Sequence, residues 1–118
     1  MTAGVRLFVA DDLLAVAVVP SGDGAPVIVS PTGEIDSVSA PALRSALLSV
    51  LLPPCTGVIL NLDGVTFLNS AGVTVLAEAH HQAQVAGISF GVRGGSRAVL
   101  RVLRITGLWD LLADPRDR

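Results

Sequence analysis

The amino-acid sequence predicts an α/β layer fold in a single domain. Short runs rich in valine and leucine alternate along most of the chain with stretches whose apolar residues recur at helical spacing. The length of 118 residues suits one domain, and 51% apolar residues against 15% charged residues can supply a hydrophobic core. The low hydrophobicity and high net charge that characterise disordered chains are both absent.

Continuous apolar runs bounded by glycine, proline and aspartate predict the strands. They are residues 13–19, 26–30, 57–62 and 88–92, with a short apolar segment at 65–68 and an edge strand at 5–9. Because these runs are continuous rather than alternating, we expect strands that are central in the sheet or buried on both faces.

Periodic apolar residues and capping residues predict three helices. The first has Ser39 as its expected N-cap, Pro41 in its first turn and a prolyl pair at 53–54 as its end. The second opens at residues 69–72 and ends at Gly87, and the third covers about 97–105. The expected core-facing residues are Ala42, Leu43, Ala46, Leu47 and Val50 in the first helix and Val73, Leu76, Ala79 or His80, and Ala83 in the second.

Composition excludes several classes of protein. The net charge of −2, from 8 basic and 10 acidic residues, is too balanced for a nucleic-acid binder. No run approaches the roughly 20 apolar residues of a membrane-spanning helix, and the N-terminus lacks a signal-peptide pattern. We therefore expect a cytoplasmic protein without membrane insertion. The single cysteine, Cys55, excludes an internal disulfide and a cysteine-based zinc site, and we expect a buried thiol.

The side chains needed for cofactor or metal chemistry are scarce. A P-loop requires a lysine, and the chain contains none. The two histidines, His80 and His81, are adjacent, so on a helix they point about 100° apart and do not converge on one metal ion. Glu34, Asp36 and Asp63 could pair as acid and base, but their spacing fits capping and turns at least as well. We expect no metal and no cofactor.

A serine hydrolase built on Ser70 is the enzymatic alternative. It would need a base within about 3.2 Å of the hydroxyl. His80 follows ten residues later on the same predicted helix, roughly 15 Å away, and the sequence around Ser70 lacks the first glycine of a nucleophile elbow. We therefore expect that the protein is not an enzyme.

Ser70 lies between a short apolar strand and a helix, and this position permits two interpretations. Either Asn69 or Ser70 is simply the N-cap of the helix, or Ser70 is a phosphoacceptor. A phosphoserine would add about −1.5 to −2 charges at a helix N-terminus, where the helix dipole and free N–H groups tolerate an anion. The fold could thus survive a modification that displaces a partner.

Three arginines share one face of the third helix, at residues 97, 101 and 104. We expect a solvated face, and a partner-binding edge is the alternative.

Three segments, in the same order and at similar spacing, resemble the STAS domain family, particularly its anti-sigma factor antagonists. Residues 58–72, VILNLDGVTFLNSAG, resemble the family signature, which continues from a central strand into the second helix. Residues 33–36, GEID, and residues 106–108, TGL, resemble two further family motifs. The positions that match the signature itself are Asp63, Val65, Phe67, Ser70 and Gly72.

This resemblance implies a fold and a function. It implies one STAS-like domain over residues 1–118, with its core at 13–110 and its ends at 1–12 and 111–118, built as a small mixed four- to five-stranded sheet with helices packed on it. It implies an antagonist that binds an anti-sigma serine kinase until the kinase phosphorylates Ser70, and a PP2C-type phosphatase that reverses the change. The implied partner-binding residues are Glu34, Asp36, Asn69, Ala71 and Gly72.

One departure from the family pattern is Asn69, where the family usually has aspartate. Asparagine is still a good N-cap, but it removes a negative charge next to Ser70. It either alters recognition by the kinase or belongs to a member that binds without being phosphorylated. The resemblance to STAS domains also implies two alternative functions, a scaffold that is not phosphorylated and a subunit of a lipid-transport ATPase complex.

Overall fold

The computed structural model describes residues 5–20, 22 and 24–113. Strands and helices alternate, as the sequence predicts, and the fold class is confirmed. In chain order the elements are β1 (Arg6–Ala10), β2 (Leu14–Val19), β3 (Val27–Ile35), α1 (Ala40–Val50), β4 (Gly57–Asn61), β5 (Gly64–Leu68), α2 (Ser70–Ala86), β6 (Ser89–Arg93), α3 (Arg97–Ile105) and α4 (Leu108–Leu112).

The strands form one mixed sheet with six strands, one more than the upper end of the expected range. The order is β1-β2-β3-β4-β6, and β5 also pairs with β3. β1 to β3 are antiparallel neighbours, whereas the β3–β4, β3–β5 and β4–β6 pairs are parallel. Parallel strands need a crossover. Here α1 connects β3 to β4, and α2 connects β5 to β6.

β3 is nine residues long, and this length lets it pair with two strands along one edge. Residues 27–29 pair with β4, and residues 32–35 pair with β5. The change of partner from β4 to β5 falls between Val29 and Thr32, and the β3–β5 register itself shifts between Gly33 and Glu34. β5 therefore ends beside the end of β3, and this position brings the start of α2 to the same place.

The core lies between one face of the sheet and helices α1 and α2. In β2, Leu14, Val16 and Val18 are buried, whereas Ala15 and Ala17 between them are only half-buried. β2 is thus internal in the sheet, as expected, but it is buried on one face rather than two. The opposite face is more open and carries the exposed side chains of Leu7 and Val9 on β1.

The helices place most of the expected residues in the core. The buried residues are Ala40, Leu43, Ala46, Leu47 and Val50 in α1 and Gly72, Val75, Leu76, Ala79 and Ala83 in α2. Ala42, Val73 and His80 are half-buried, so the core-facing stripe is slightly rotated from the expected one. Gly87 ends α2 in the left-handed conformation (φ 71°), as predicted.

Two local expectations were wrong. The sequence did not predict α4, whose Leu108 and Leu112 are buried against the rest of the core. Cys55 is half-buried rather than fully buried, and its thiol lies 3.3 Å from the carbonyl oxygen of Gly57. The polar tail at 114–118 lies outside the described residues. Within the described part of the chain, no helix is long and apolar enough to cross a membrane.

Leu47 provides a test of the core. The side chain is fully buried in α1, so Leu47→Ala removes apolar contacts and leaves a cavity. We expect a loss of about 2–5 kcal/mol in the free energy of unfolding. Leu52→Ala is the control, because 56% of Leu52 is exposed, and its loss should stay within about 0.5 kcal/mol. Urea unfolding of both variants measures the difference, and equal losses would contradict this placement of the core.

Candidate functional site

The candidate site lies at the end of the sheet where the parallel strands β3 and β5 finish. Ile35 and Leu68, the last residues of the two strands, are partners in the register. The backbone N–H of Asn69 donates to the carbonyl oxygen of Ile35 at 3.2 Å. The chain after β3 and the start of α2 are therefore adjacent. This end of the sheet brings together the predicted site residues Glu34, Asp36, Asn69, Ser70, Ala71 and Gly72, and we call it the Ser70 end.

Asn69, and not Ser70, caps α2. Its side-chain Oδ1 accepts a hydrogen bond from the N–H of Ala71 at 2.9 Å, and its carbonyl oxygen accepts one from the N–H of Val73 at 3.1 Å. Ser70 is the first residue of the helix, and its side chain is exposed. Its carbonyl oxygen accepts from the hydroxyl of Thr74 at 3.0 Å. The hydroxyl of Ser70 has no hydrogen-bond partner among the described residues, so the cap does not depend on it.

Gly72 allows the start of α2 to lie close to the sheet. A Cβ atom at this position would lie 2.8 Å from Cγ2 of Ile35 and would overlap the side chain of Leu68. These are the last residues of β3 and β5. Any larger residue would push the helix away from both strand ends, so the absence of a side chain at Gly72 sets the height of Ser70 above the sheet.

A reciprocal set of hydrogen bonds orders the loop after β3. Oδ1 of Asp36 accepts from the N–H groups of Val38 at 2.9 Å and Ser39 at 3.0 Å. The Ser39 hydroxyl, which is fully buried, accepts from the N–H of Asp36 at 2.9 Å and donates to the carbonyl oxygen of Glu34 at 2.6 Å. Ser39 has the expected N-cap position of α1, but its side chain makes no capping bond to the helix. It closes the loop instead.

These bonds also set the charge of Asp36. The N–H of Ser39 is the main cause that lowers the pKa of the Asp36 carboxyl, and the N–H of Val38 acts in the same direction. Partial desolvation opposes them without cancelling the effect. The carboxylate is therefore the form that the loop stabilises.

Two exposed apolar side chains lie on the elements that meet at this end of the sheet, and Val38 lines a surface pocket together with Phe8 and Val9 of β1. Val38 projects from the loop with 59% of its surface exposed, and Phe67 of β5 is 47% exposed. Phe67 is the register partner of Glu34, which is also exposed. The sequence analysis did not assign either apolar residue to a binding surface. The sequence could have indicated Phe67 as a surface residue, because a large aromatic residue stands in a strand of only five residues between a turn and a helix.

The arrangement does not provide Ser70 with a base from α2. The helix is continuous from Ser70 to Ala86, so His80 lies roughly 15 Å along it. Asp63, one of the candidate acid–base carboxylates, lies before β5, where its Oδ1 accepts from the N–H of Gly95 at 3.1 Å. Asp36 is engaged in its own loop. No cluster of three metal-binding side chains occurs among the described residues.

Comparison with known proteins agrees with this fold. The STAS domain model matches residues 16–116. Two relatives, both named anti-sigma-F factor antagonist RsfB, come from two strains of Mycobacterium tuberculosis. Each is 31% identical over 81 residues, which is 69% of this chain and 66% of the relative. The match thus spans about two thirds of the length of these relatives.

Solved structures lead to the same family. The crystal structure of an anti-sigma factor antagonist from Mycobacterium paratuberculosis is 32% identical, covers 87% of this chain and 86% of its own, and gives a TM-score of 0.75. The unphosphorylated form of SpoIIAA is 20% identical, covers 94% of this chain and 87% of its own, and shares the fold with a TM-score of 0.62. The protein therefore belongs to the STAS domain family, and its relatives in that family include anti-sigma factor antagonists.

The hydrogen bonds of Asp36 predict a pH dependence of stability. The folded state lowers the pKa of this carboxyl, so the stabilisation is present above the ordinary carboxyl pKa and is lost as the pH falls through the lowered value. Asp36→Asn keeps an oxygen acceptor but removes the charge. We expect the variant to be less stable than the parent near neutral pH and the difference to shrink between about pH 5 and about pH 2.

Urea unfolding across this pH range measures the difference. Glu34→Gln is the control, because the Glu34 side chain is exposed and its carboxylate accepts no hydrogen bond from the described residues. A difference for Asp36→Asn that stays constant with pH would contradict the assignment of the charged form to the loop.

Proposed function

We propose that this protein is a phospho-regulated anti-sigma factor antagonist with Ser70 as its phosphoacceptor. It binds an anti-sigma serine kinase when Ser70 is unmodified and is released when the kinase phosphorylates Ser70. The observation that carries the proposal is the exposed Ser70 hydroxyl, which lies at the start of α2 beside a cap already completed by Asn69. The anti-sigma factor antagonist relatives support the same function.

The position of Ser70 suits reversible phosphorylation. A phosphate adds about −1.5 to −2 charges, and the first turn of a helix is a favourable place for negative charge. The first turn of α2 contains no acidic residue, and the neighbouring Asn69 is uncharged. The helix can therefore accept the phosphate, while the surface next to Glu34 becomes much more negative. A PP2C-type phosphatase would restore the binding form, and we propose that the exchange takes place in the cytoplasm.

We divide the partner-binding residues into contact and positioning roles. Glu34 is exposed and can touch a partner, and we add Val38 and Phe67 as apolar contacts. Asp36 orders the loop that presents Val38, and Asn69 orders the start of α2. Ala71 is half-buried and Gly72 is buried, so Gly72 acts by letting the helix approach the strands.

The alternative is a STAS scaffold that binds partners without being modified, including a subunit of a lipid-transport ATPase complex. Asn69, in place of the usual aspartate, is the observation that favours it. The two functions differ in one measurable property. The intact mass of the protein from its own cells, before and after phosphatase treatment, shifts by one phosphate only for the phospho-regulated form.

Ser70→Ala tests the phosphoacceptor. With the cognate anti-sigma kinase and ATP, we expect no phosphate incorporation into this variant and unchanged binding of the kinase. Thr74→Ala is the matched control, because Thr74 carries an exposed hydroxyl one turn further along the same helix. Ser70→Glu should weaken kinase binding by about tenfold or more, since it places a charge in the contact surface. Incorporation into Ser70→Ala at the parent level would refute the assignment.

Phe67→Ala tests the proposed contact surface. A minority of interface residues, mainly large anchors near the centre, cost more than about 1 kcal/mol when truncated. We place Phe67 among these anchors and expect the affinity for the kinase to fall by about fivefold or more. Val85→Ala is the control, because Val85 is equally apolar and exposed but lies at the far end of α2. Isothermal titration calorimetry measures both affinities. An unchanged affinity for Phe67→Ala, with Ser70→Glu still defective, would remove Phe67 from the surface and leave Ser70 in place.

A further inference from the structure

Helix α3 presents a row of arginines that the function of Ser70 does not explain. Arg97, Arg101 and Arg104 are all exposed, and their spacing places them on one face of the helix, which we call the arginine ridge. The opposite face is buried through Val99 and Leu103. Together with Arg93, the ridge holds half of the chain's 8 basic residues, and no acidic residue occurs in the sequence between Glu78 and Asp110. A chain with a net charge of −2 thus has a strongly basic surface.

The stability of α3 does not account for this arrangement. Arg97 lies in the first turn, where the helix dipole disfavours a cation and where no acidic residue compensates. Residues 97 and 101, and residues 101 and 104, are like-charged neighbours that repel each other on the helix surface. The interaction of Arg97 with the helix dipole and the two arginine–arginine repulsions all destabilise the helix. Arg104 lies in the last turn, where the helix dipole favours a cation, so a stabilising role fails to explain Arg97 and Arg101 only.

Other arginines of the chain have partners within it. The guanidinium of Arg44 on α1 pairs with the carboxylate of Glu78 on α2 at 3.1 Å. Arg104 lies over the ring of Trp109 at 5.7 Å from its centre. Arg97 and Arg101, in contrast, form no ion pair with any residue in the described ranges. Their guanidinium groups are available to a ligand.

We propose that the arginine ridge binds an acidic segment of a partner protein, separately from the Ser70 end. Guanidinium groups bind carboxylates through two parallel hydrogen bonds, and successive arginines on one helix face can engage successive acidic side chains. Ile105, 74% of which is exposed, lies on the same side four residues after Arg101. The surface therefore fits a segment that combines acidic residues with a neighbouring apolar one.

A protein segment fits this surface better than a nucleic acid or a membrane. Nucleic-acid binding relies on many phosphate contacts from a strongly basic domain, and this chain is acidic overall. A helix that lies on a membrane inserts its apolar face into the lipid. The apolar face of α3 is already packed in the core through Val99 and Leu103, which leaves Ile105 as the large apolar residue that the helix exposes.

The ridge experiment and the phosphoacceptor experiment measure different events. The start of α3 is tied to the start of β5, because the N–H of Gly95 donates to the Asp63 carboxylate. Ser70 follows the other end of β5. Peptide binding and phosphate incorporation are separate readouts, so either proposal can fail alone.

Fluorescence anisotropy with two labelled peptides tests the ridge on the full-length protein. One peptide consists of Glu-Glu-Leu repeats, and the matched control peptide consists of Gln-Gln-Leu repeats. We expect the acidic peptide alone to bind, and to bind more weakly as salt is added. The double variant Arg97→Gln/Arg101→Gln should weaken this binding by about tenfold or more, whereas Arg44→Gln, which removes an exposed arginine from α1, should leave it unchanged.

The double variant leaves Arg104 in place because of its contact with Trp109. Thermal unfolding should show a midpoint equal to or above that of the parent, since the substitutions relieve repulsion in α3.

Three results would overturn the proposal. They are no binding of the acidic peptide at low salt, equal binding by the double variant, and tighter Arg97-dependent binding of a DNA duplex or of vesicles with equal parts phosphatidylglycerol and phosphatidylcholine.

Discussion

The parallel pairing of β3 with β5 is the constraint on which the candidate site depends. It places Ile35 beside Leu68, so two segments more than thirty residues apart in the sequence end at the same point. The Asn69 N–H then bonds to the Ile35 carbonyl, and Gly72 lets α2 descend onto both strand ends. If this register slipped by one residue, side chains would exchange faces of the sheet. The loop after β3 and the start of α2 would then no longer form one surface.

The loop after β3 and the start of α2 both contain backbone N–H groups that need acceptors, and different side chains supply them. Backbone N–H groups at a chain reversal need acceptors, because an unsatisfied one costs stability. Asn69 supplies its own side chain to the first turn of α2. In the loop after β3, Asp36 and Ser39 supply each other, so that both ends of a four-residue segment are closed. Asp36, Ser39 and Asn69 are therefore engaged in holding the backbone. The exposed side chains of this region are those of Glu34, Val38, Phe67 and Ser70.

Local patterns predicted most of the elements, because strand runs, proline stops and the left-handed Gly87 are encoded within a few residues. The family resemblance, carried by residues 58–72, indicated Ser70 as the site. What the sequence left open depends on tertiary contacts. Asn69 and Ser70 were equal candidates for the cap, and only the backbone geometry selects Asn69. The sequence correctly placed Ser39 at the N-cap position of α1. It did not predict that the Ser39 hydroxyl donates to the Glu34 carbonyl oxygen, because this bond depends on the position of the end of β3. α4 was missed because it is only five residues long and is held by burial.

The capping of α2 by Asn69 has a consequence for how this domain could evolve. Because the hydroxyl of Ser70 takes no part in the cap, the capping of α2 does not require serine at this position. Substitutions at position 70 therefore leave the capping bond between Asn69 and Ala71 in place. The neighbouring positions are not free in this way. Position 70, where the cap needs no particular side chain, therefore lies only two residues before Gly72, where packing against Ile35 and Leu68 excludes one.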